Sequence, residues 1–399
     1  MTWPQMKHRL NTDTMTRISG IDASSTVGNF SRWGVPLRVL ETFSIAIIAL
    51  ALMGCATSPP RVARVEFGRS IWTEGQRRAG VLFQDGAQSV PVAGGALWTF
   101  GDTFYGQPQP GQPPQLSQNK GAQSATIAFL PAGQTNLPPA LEYFADSNGV
   151  VANPFEYFPD EDLKHHRIWP GAGISIGSRI YLSYSVIEVT DEPGPWNFHG
   201  IGSGLAVAET PLGRFVRLRP NGRWRFPVAP AQILREGDQL YLLEISDAPK
   251  GLILSRVNAP EIENPAAYEF FAGKGWSTNR ADVRVIFRKA YGQVSVMWVP
   301  ALRRYLMATS SDFFHPHEIQ FRQAKQIEGP WSAPARIPVP EMPGKKTTLV
   351  YCTFFHPELS DDQSLRFVTT FCRMLAGDWE LSNPEWMTIT LAPDSVSER

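Results

Sequence analysis

Downstream of residue 55, hydrophobic residues occur in short runs, and few stretches show the 3.6-residue period of an amphipathic helix. Typical runs are Ala96–Phe100, Arg179–Val186 and Gln293–Pro300, which are bounded by residues such as Gly, Pro and Asp. Runs of this length and composition are typical of β-strands. The pattern therefore predicts a protein built almost entirely of strands.

A unit of strands and turns recurs along the chain with a spacing of about 59 residues. Copies begin near Ile168, Val228, Gln293 and Thr348, and an opening copy covers residues 80–160. Four-stranded units repeated around an axis form a β-propeller, and closing the ring protects the edges of the sheets. We therefore predict an all-β, five-bladed β-propeller. A β-sandwich is the alternative, but it does not explain a turn that recurs at this spacing.

The beginning of the chain has the pattern of a bacterial lipoprotein leader. Phe43–Met53 is apolar but too short to cross a bilayer, and it leads through Gly54 into Cys55. In such leaders the cysteine sulfur receives the lipid, so we predict lipidation of Cys55 and a membrane anchor. Ala56 and Thr57 follow, rather than the Asp that retains lipoproteins in the inner membrane, which favours the outer membrane of the bacterial cell envelope.

These signals give three predicted segments. The leader covers residues 1–55, a short tether covers 56–61, and the propeller covers 62–399. Within the propeller, the run Val62–Ile71 is predicted to supply a strand that helps to close the ring.

Composition agrees with this organisation and excludes one class of partner. The chain has 33 Gly and 34 Pro, and 11% of its residues are aromatic, as expected for many short strands joined by turns. Its formal net charge is zero, so we expect no nucleic-acid partner. Cys352 and Cys372 lie on two successive apolar runs, which predicts a disulfide in an oxidising compartment, with two buried thiols as the alternative.

The first blade contains the best candidate for catalytic chemistry. Asp85 opens one apolar run, and Asp102 follows the next run directly after Gly101. If the two runs form a hairpin, both carboxylates lie at the same end of it and face one cavity. The alternative is that Asp102 only caps a turn. Because Phe100 and Phe104 flank Asp102, we expect it to have a higher pKa than Asp85.

Here the sequence resembles a known family. The blocks Gln84–Ala87 and Leu97–Phe104, with Gln293–Ser295 and Trp298–Pro300, are similar to the bacterial five-bladed propellers of the DUF4185 type, relatives in shape of the glycoside hydrolase family 43 clan. Some of the resembled proteins are endo-D-arabinanases in which two first-blade aspartates are implicated in catalysis. The resemblance implies that role for Asp85 and Asp102, although Gly86–Ala87 stands where those enzymes have Leu-Gly.

Further residues are candidates for the same site. By analogy with family 43, Glu244 is a candidate third catalytic carboxylate, and Glu188 and Asp312 are weaker ones. Sugars stack on aromatic rings and bond to polar side chains, so a larger set is assigned to substrate binding: Trp169, Gln293, Trp298, Tyr351 and His356, with Trp196 and Phe198 as further aromatic candidates. The histidines lack zinc-site spacing, and we expect neither a metal ion nor a cofactor.

Two hypotheses about function follow. The first is an exported, lipid-anchored, glycoside hydrolase-like enzyme that cleaves a polysaccharide, with arabinan-type furanosides as the substrate class that the resemblance implies. The second is a non-catalytic carbohydrate- or protein-binding propeller that uses the same cavity. Only the first requires two converging carboxylates.

Overall fold

The computed structural model describes residues 58–192, 197–290, 293–310, 317–376 and 383–393. The chain divides into two units, Met1–Ala56 and Thr57–Arg399, and every described residue belongs to the second. The predicted leader and the lipidation site Cys55 therefore lie outside the described residues. Within the described ranges, no helix is long and apolar enough to cross a membrane.

The described residues form five small antiparallel sheets. The chain begins with strand β1 (Val62–Ser70) and the short helix α1 (Glu74–Arg78). The first blade consists of β2 (Val81–Val92), β3 (Gly95–Gly106), β4 (Asn119–Gln123), β5 (Thr126–Pro131) and β6 (Glu142–Tyr143). The second consists of β7 (His166–Ile176), β8 (Arg179–Val189), β9 (Phe198–Ala208) and β10 (Val216–Arg217).

The other three blades follow in chain order. The third consists of β11 (Gln232–Glu236), β12 (Gln239–Asp247), β13 (Lys250–Asn258), β14 (Glu269–Phe271), β15 (Trp276–Ser277) and β16 (Val285–Phe287). The fourth consists of β17 (Val294–Val299), β18 (Arg304–Ser310), β19 (Glu318–Ala324) and β20 (Ala335–Pro338). The fifth consists of β21 (Thr347–Phe355), β22 (Arg366–Leu375) and β23 (Glu385–Leu391), to which β1 is added.

Short 3-10 helices connect some of these strands: Leu116–Gln118, Pro220–Gly222, Ala259–Glu261, Pro265–Ala267, Arg280–Asp282, Pro300–Leu302 and Pro357–Leu359.

The innermost strands of the five blades form a closed ring. Strand β2 packs on β7, β7 on β11, β11 on β17, β17 on β21, and β21 returns to β2. Each sheet buries one face against the blade before it and the other against the blade after it, which accounts for strands such as β18 and β19 being buried along their whole length. The predicted five-bladed β-propeller is confirmed.

The ring is closed by a strand from the beginning of the domain. β1 pairs antiparallel with β23, with Val65 opposite Ile389 and Phe67 opposite Met387. The Phe67 ring also meets the Phe371 ring edge-on, with centroids 6.3 Å apart. The predicted closing role of Val62–Ile71 is thus confirmed, because the last blade takes its outer strand from the N-terminal side of the first blade.

Polar side chains cross the hub between blades. Gln88 Nε2 of β2 donates to the carbonyl oxygen of Ala231 at 2.9 Å, and Ser295 Oγ of β17 donates to Gln232 Oε1 of β11 at 3.3 Å. Phe355 N of β21 donates to Ser295 Oγ at 3.0 Å. These bonds tie the inner strands of neighbouring and facing blades to one another, so that the ends of those strands are held at fixed relative positions.

Phe67→Ala is expected to destabilise the domain because it removes the edge-on contact with Phe371 and leaves a cavity beneath the closing strand. We expect a loss of about 2–3 kcal/mol in the free energy of unfolding, below the full range for a completely buried Phe because Phe67 is only half-buried. Arg69→Ala, an exposed change on the same strand, should cost less than about 0.5 kcal/mol. Urea unfolding of both variants measures the difference, and equal losses would contradict the closing role of β1.

Candidate active site

Asp85 and Asp102 come from an irregular part of the β2–β3 hairpin. Gln84 pairs with Thr103 and Gly86 pairs with Phe100, so the register shifts around the two aspartates. Gly86 and Ala87 have φ angles of 92° and 76°, a conformation that Ala rarely adopts. A bulge of this kind redirects side chains away from the regular alternation of a strand. Both aspartates consequently lie at one end of the hairpin, as the sequence predicts.

Gly101 provides the space in which the Asp85 carboxylate lies. A Cβ atom at Gly101 would lie 2.4 Å from Asp85 Oδ1, closer than any real contact of that kind. The backbone N–H of Asp102 also donates a hydrogen bond to the Asp85 carboxylate. Gly101 therefore leaves room for the Asp85 carboxylate, and the next residue, Asp102, supplies the second carboxylate of the pair.

Each aspartate receives a hydrogen bond from a neighbouring blade. Trp169 of β7 donates from Nε1 to Asp102 Oδ1 at 3.1 Å, and Tyr351 of β21 donates from its hydroxyl to Asp85 Oδ2 at 3.4 Å. Blades two and five therefore hold the first-blade pair from opposite sides. Of the predicted substrate-binding residues, Trp169 and Tyr351 are the two whose side chains reach the acid pair.

The surroundings raise the pKa of both aspartates. Burial raises the pKa of Asp85 to about 7, and the negative charge of Asp102 adds to the effect, while the Tyr351 hydroxyl and the Asp102 N–H oppose it. Burial also raises the pKa of Asp102, to about 6, where the Trp169 N–H and the positive charge of Arg167 oppose it. Both pKa values are thus raised toward neutrality, so the pair can hold one proton between its two carboxyls near neutral pH.

The sequence expectation assigned the higher pKa to Asp102, whereas the structure raises the pKa of both aspartates. The Phe100 ring is buried in the first blade and stacks on the ring of Tyr143, with centroids 5.8 Å apart. The Trp169 N–H and the positive charge of Arg167 favour the charged form of Asp102, whereas the negative charge of Asp102 disfavours the charged form of Asp85. The sequence analysis missed Arg167, although it lies two residues before Trp169 and therefore on the same side of β7.

Glu244 does not join the aspartate pair. Both of its oxygens accept hydrogen bonds from Arg280, at 2.6 and 3.0 Å. Because both oxygens are occupied by the Arg280 guanidinium, they are not available to a substrate, and we do not retain Glu244 as a catalytic residue. Glu188 is also engaged elsewhere, 3.0 Å from Nε2 of His199 at the rim of blade two.

Gln293 supports the site rather than pointing into it. Its Oε1 accepts a hydrogen bond from the backbone N of Cys352 at 3.2 Å. The register of β21 against β22 shifts between Tyr351 and Phe354, and Cys352 has a φ of 51°. Gln293 therefore ties the beginning of β17 to the bulge that follows Tyr351, the residue that bonds Asp85.

The predicted disulfide is absent from the structure. Cys352 and Cys372 are buried free thiols that contact each other across β21 and β22. Cys372 Sγ donates to the carbonyl oxygen of Gly86 at 3.9 Å. A hydrogen bond with Cys372 and burial raise the pKa of the Cys352 thiol well above its usual range, so this thiol remains protonated near neutral pH.

His356 is buried away from any substrate. Its ring is completely inaccessible and lies flat on Trp98, with centroids 4.1 Å apart and planes 8° apart. Its Nε2 lies 2.8 Å from Thr370 Oγ1, and its Nδ1 lies 3.0 Å from Ser89 Oγ. The substrate-binding prediction for His356 is therefore wrong, because the residue joins the fifth blade to the first within the core.

Trp298 lies at the opposite end of its strand from the site. It is near the end of β17, whereas Gln293 immediately precedes that strand. With a rise of about 3.3 Å per residue, the two positions are about 16 Å apart. Trp298 therefore does not belong to the site, and sequence reasoning failed here because an aromatic residue in an inner strand was taken as a candidate without regard to which end of the strand it occupies.

Phe198 packs edge-on against Trp169, with ring centroids 5.2 Å apart, so its predicted place beside the site agrees with the structure. Trp196 and Asp312 lie outside the described residues. Across the ranges that are described, no group of three or more His, Cys, Asp or Glu side chains is arranged to hold a metal ion. A cavity of about 350 Å³ lies at the turn end of the β2–β3 hairpin, away from the pair, with Glu358 in its lining.

The fold and this geometry define a class: a five-bladed propeller with two unequal carboxyl groups at one end of its hub. Comparison with known protein families identifies the family of the chain. The DUF4185 family, described as a domain of unknown function, matches residues 80–373, and the chain belongs to that family. Among curated proteins, none matches the chain in sequence.

Solved structures share the fold. A candidate hydrolase from Bacteroides ovatus is 16% identical, with a TM-score of 0.60 over 79% of this chain and 87% of that one. A family 117 glycoside hydrolase from Zobellia galactanivorans is 11% identical, with a TM-score of 0.46 over 82% and 90% of the two chains. A GH43_1 enzyme from Xanthomonas citri in complex with xylotriose is 12% identical, with a TM-score of 0.45 over 82% and 92%. At these identities the likeness concerns the fold alone.

Asp85→Asn is expected to stabilise the protein above neutral pH. The pKa of Asp85 is about 7 in the folded protein and about 4 in the unfolded chain, so the folded state binds more protons between these values. The free energy of unfolding therefore falls as pH rises from about 4 to about 7. Asparagine does not ionise, and since three pKa units correspond to about 4 kcal/mol, we expect a gain of up to about 4 kcal/mol at pH 8 with little difference at pH 4.

Urea unfolding at the two pH values measures this effect. Asp238→Asn serves as the control because the Asp238 side chain is 87% exposed, and it should change little at either pH. A destabilised Asp85→Asn variant at pH 8, or an equal change at both pH values, would contradict the assignment of a raised pKa.

Proposed function

We propose that the protein is a glycoside hydrolase-like enzyme of the bacterial cell envelope that cleaves a polysaccharide with the Asp85–Asp102 pair. The observation that carries the proposal is that two adjacent buried carboxyls, both with raised pKa values, accept hydrogen bonds from different partners, the Trp169 N–H for Asp102 and the Tyr351 hydroxyl for Asp85. Glycoside hydrolysis needs one carboxylic acid and one carboxylate, and a pair with different surroundings supplies both at neutral pH.

In this proposal Asp85 is the general acid. Burial and the charge of Asp102 keep it protonated, and it donates that proton to the glycosidic oxygen as the bond to the anomeric carbon breaks. The Asp102 N–H and the Tyr351 hydroxyl contact the Asp85 carboxyl and fix its orientation. Once the proton has left, these donors stabilise the carboxylate that remains.

Asp102 is the carboxylate of the pair. The Trp169 N–H and the charge of Arg167 favour its ionised form, so it either accepts a proton from the attacking water or attacks the anomeric carbon itself. The half-buried Trp169 ring, with Phe198 against it, presents an apolar surface beside the acids on which the C–H face of a sugar could stack.

Two finer parts of the proposal rest on the sequence. The resemblance to endo-D-arabinanases favours an arabinan-type furanoside as substrate. The Leu-Met-Gly-Cys sequence ending at Cys55 favours cleavage of the leader and lipidation of Cys55, with outer-membrane anchoring.

Asp85→Asn and Asp102→Asn are each expected to reduce hydrolysis of furanose polymers by about 10²–10⁴-fold, because each removes one proton-transfer or nucleophilic group. Release of reducing ends measures the activity. Glu188→Gln, which changes an acid on the same face outside the pair, should retain activity. An active protein that tolerates both aspartate changes would refute the assigned site. A protein that binds oligosaccharides without cleaving them would instead be a binding propeller.

Trp169→Phe is expected to shift the acidic limb of the pH–rate profile to higher pH. The acidic limb reports ionisation of Asp102, and loss of the Trp169 N–H bond removes a contact that lowers the pKa of Asp102. We expect a shift of about one pH unit. Trp298→Phe, at the far end of β17, should leave the profile unchanged. An unchanged acidic limb in Trp169→Phe would show that Asp102 does not set it.

A further inference from the structure

The first described residues contact blade four at the end where strand β19 finishes. The carbonyl oxygen of Ser58 accepts a hydrogen bond from Gln323 Nε2 at 2.8 Å. Gln323 is the next-to-last residue of β19. β1 then starts at Val62, opposite Leu391 at the end of β23. The first described residues therefore lie at the ends of β19 and β23.

That end is opposite to the acid pair. Gln293, just before β17, bonds the backbone next to Tyr351, and Tyr351 bonds Asp85, so β17 begins on the face that carries the site. β19 runs in the same direction as β17, because each is antiparallel to β18 between them. Gln323, near the end of β19, and Ser58 with it, thus lie on the far face of the ring.

We propose that this far face of blade four rests on a lipid surface and that the acid pair opens away from it. The inference rests on the proposed anchoring through Cys55. Only Ala56 and Thr57 separate Cys55 from Ser58, and three residues of extended chain span at most about 11 Å. A lipid on Cys55 therefore reaches the bilayer only if the end of blade four that contacts Ser58 lies close to the bilayer.

The side chains at this end suit a membrane interface. Trp298 is 42% exposed and meets the Tyr305 ring edge-on, with centroids 4.9 Å apart. Tryptophan is favoured at the boundary between headgroups and acyl chains. Arg303, in the β17–β18 turn, and Lys325, directly after β19, are exposed and would be attracted by anionic headgroups.

Acidic residues border this surface on the side of the third blade. Burial and the charge of Glu328, in the turn after β19, raise the pKa of Glu236 at the end of β11, so these two carboxyls lie near each other. We therefore limit the lipid-facing patch to Trp298, Arg303 and Lys325. With this patch on the bilayer, the Asp85–Asp102 pair faces polysaccharide that approaches from the side away from the membrane, rather than the headgroups of the bilayer to which the protein is attached.

Fluorescence quenching in vesicles tests this orientation. The full chain, expressed so that Cys55 is acylated, is labelled with bimane at Arg303→Cys or, as the matched control, at Lys120→Cys. Lys120 is exposed on β4, which pairs with the end of β3 on the site face. The protein is reconstituted into vesicles of phosphatidylethanolamine and phosphatidylglycerol that contain a headgroup-spin-labelled lipid. Protein without an introduced cysteine, treated with bimane in the same way, gives the background from the buried Cys352 and Cys372.

We expect loss of fluorescence at position 303 and none at position 120. Trp298→Ser should weaken the loss at 303, whereas Leu163→Ser, a change at an exposed apolar residue just before β7, should not. Quenching at 120, or at neither position, in protein whose intact mass shows the acyl chains would overturn the orientation and leave the hydrolase proposal standing. An intact mass without acyl chains would instead refute the anchoring, and the orientation with it. Polysaccharide cleavage is measured separately.

Discussion

The candidate site depends on holding two carboxyl groups of like charge next to each other inside the propeller. Burial disfavours ionisation of both Asp85 and Asp102, and the charge of one raises the pKa of the other. In a flexible loop the two side chains would turn away from each other toward water. The bulge in the β2–β3 hairpin prevents this, because Gly101 gives the Asp85 carboxylate a place that no other residue would allow.

The rest of the propeller supplies the rigidity that this arrangement requires. Blade two contributes the Trp169 N–H and blade five contributes the Tyr351 hydroxyl, so the distance between those blades determines how the acids are held. Hydrogen bonds across the hub, such as that from Gln88 of blade one to Ala231 beside blade three, help to hold the inner strands in place. β1 completes the sheet of blade five, whose inner strand β21 carries Tyr351, and so closes the ring. Strain at the site is thereby balanced by packing and polar contacts elsewhere in the ring.

Periodic features could be predicted from the sequence, whereas the contacts of single side chains could not. The repeat of strands and turns gave five blades and the closing strand, since both follow from local pattern. The joint position of Asp85 and Asp102 followed from hairpin geometry. The ion pair of Glu244 with Arg280 could not be foreseen, because its partners are 36 residues apart and meet only through the folding of blade three. His356 and Trp298 failed for related reasons, as position along a strand and burial between blades depend on register.

The proposed mechanism requires that the carboxyls of Asp85 and Asp102 share one proton near neutral pH. The most direct measurement is a pH titration of the carboxyl ¹³C resonances in protein labelled at Asp, with the two signals assigned by their absence from the corresponding Asn variants. The account predicts that both signals titrate well above the usual range for aspartate and that Asp85 titrates last. Titration of both near pH 4, as for exposed aspartates, would contradict it.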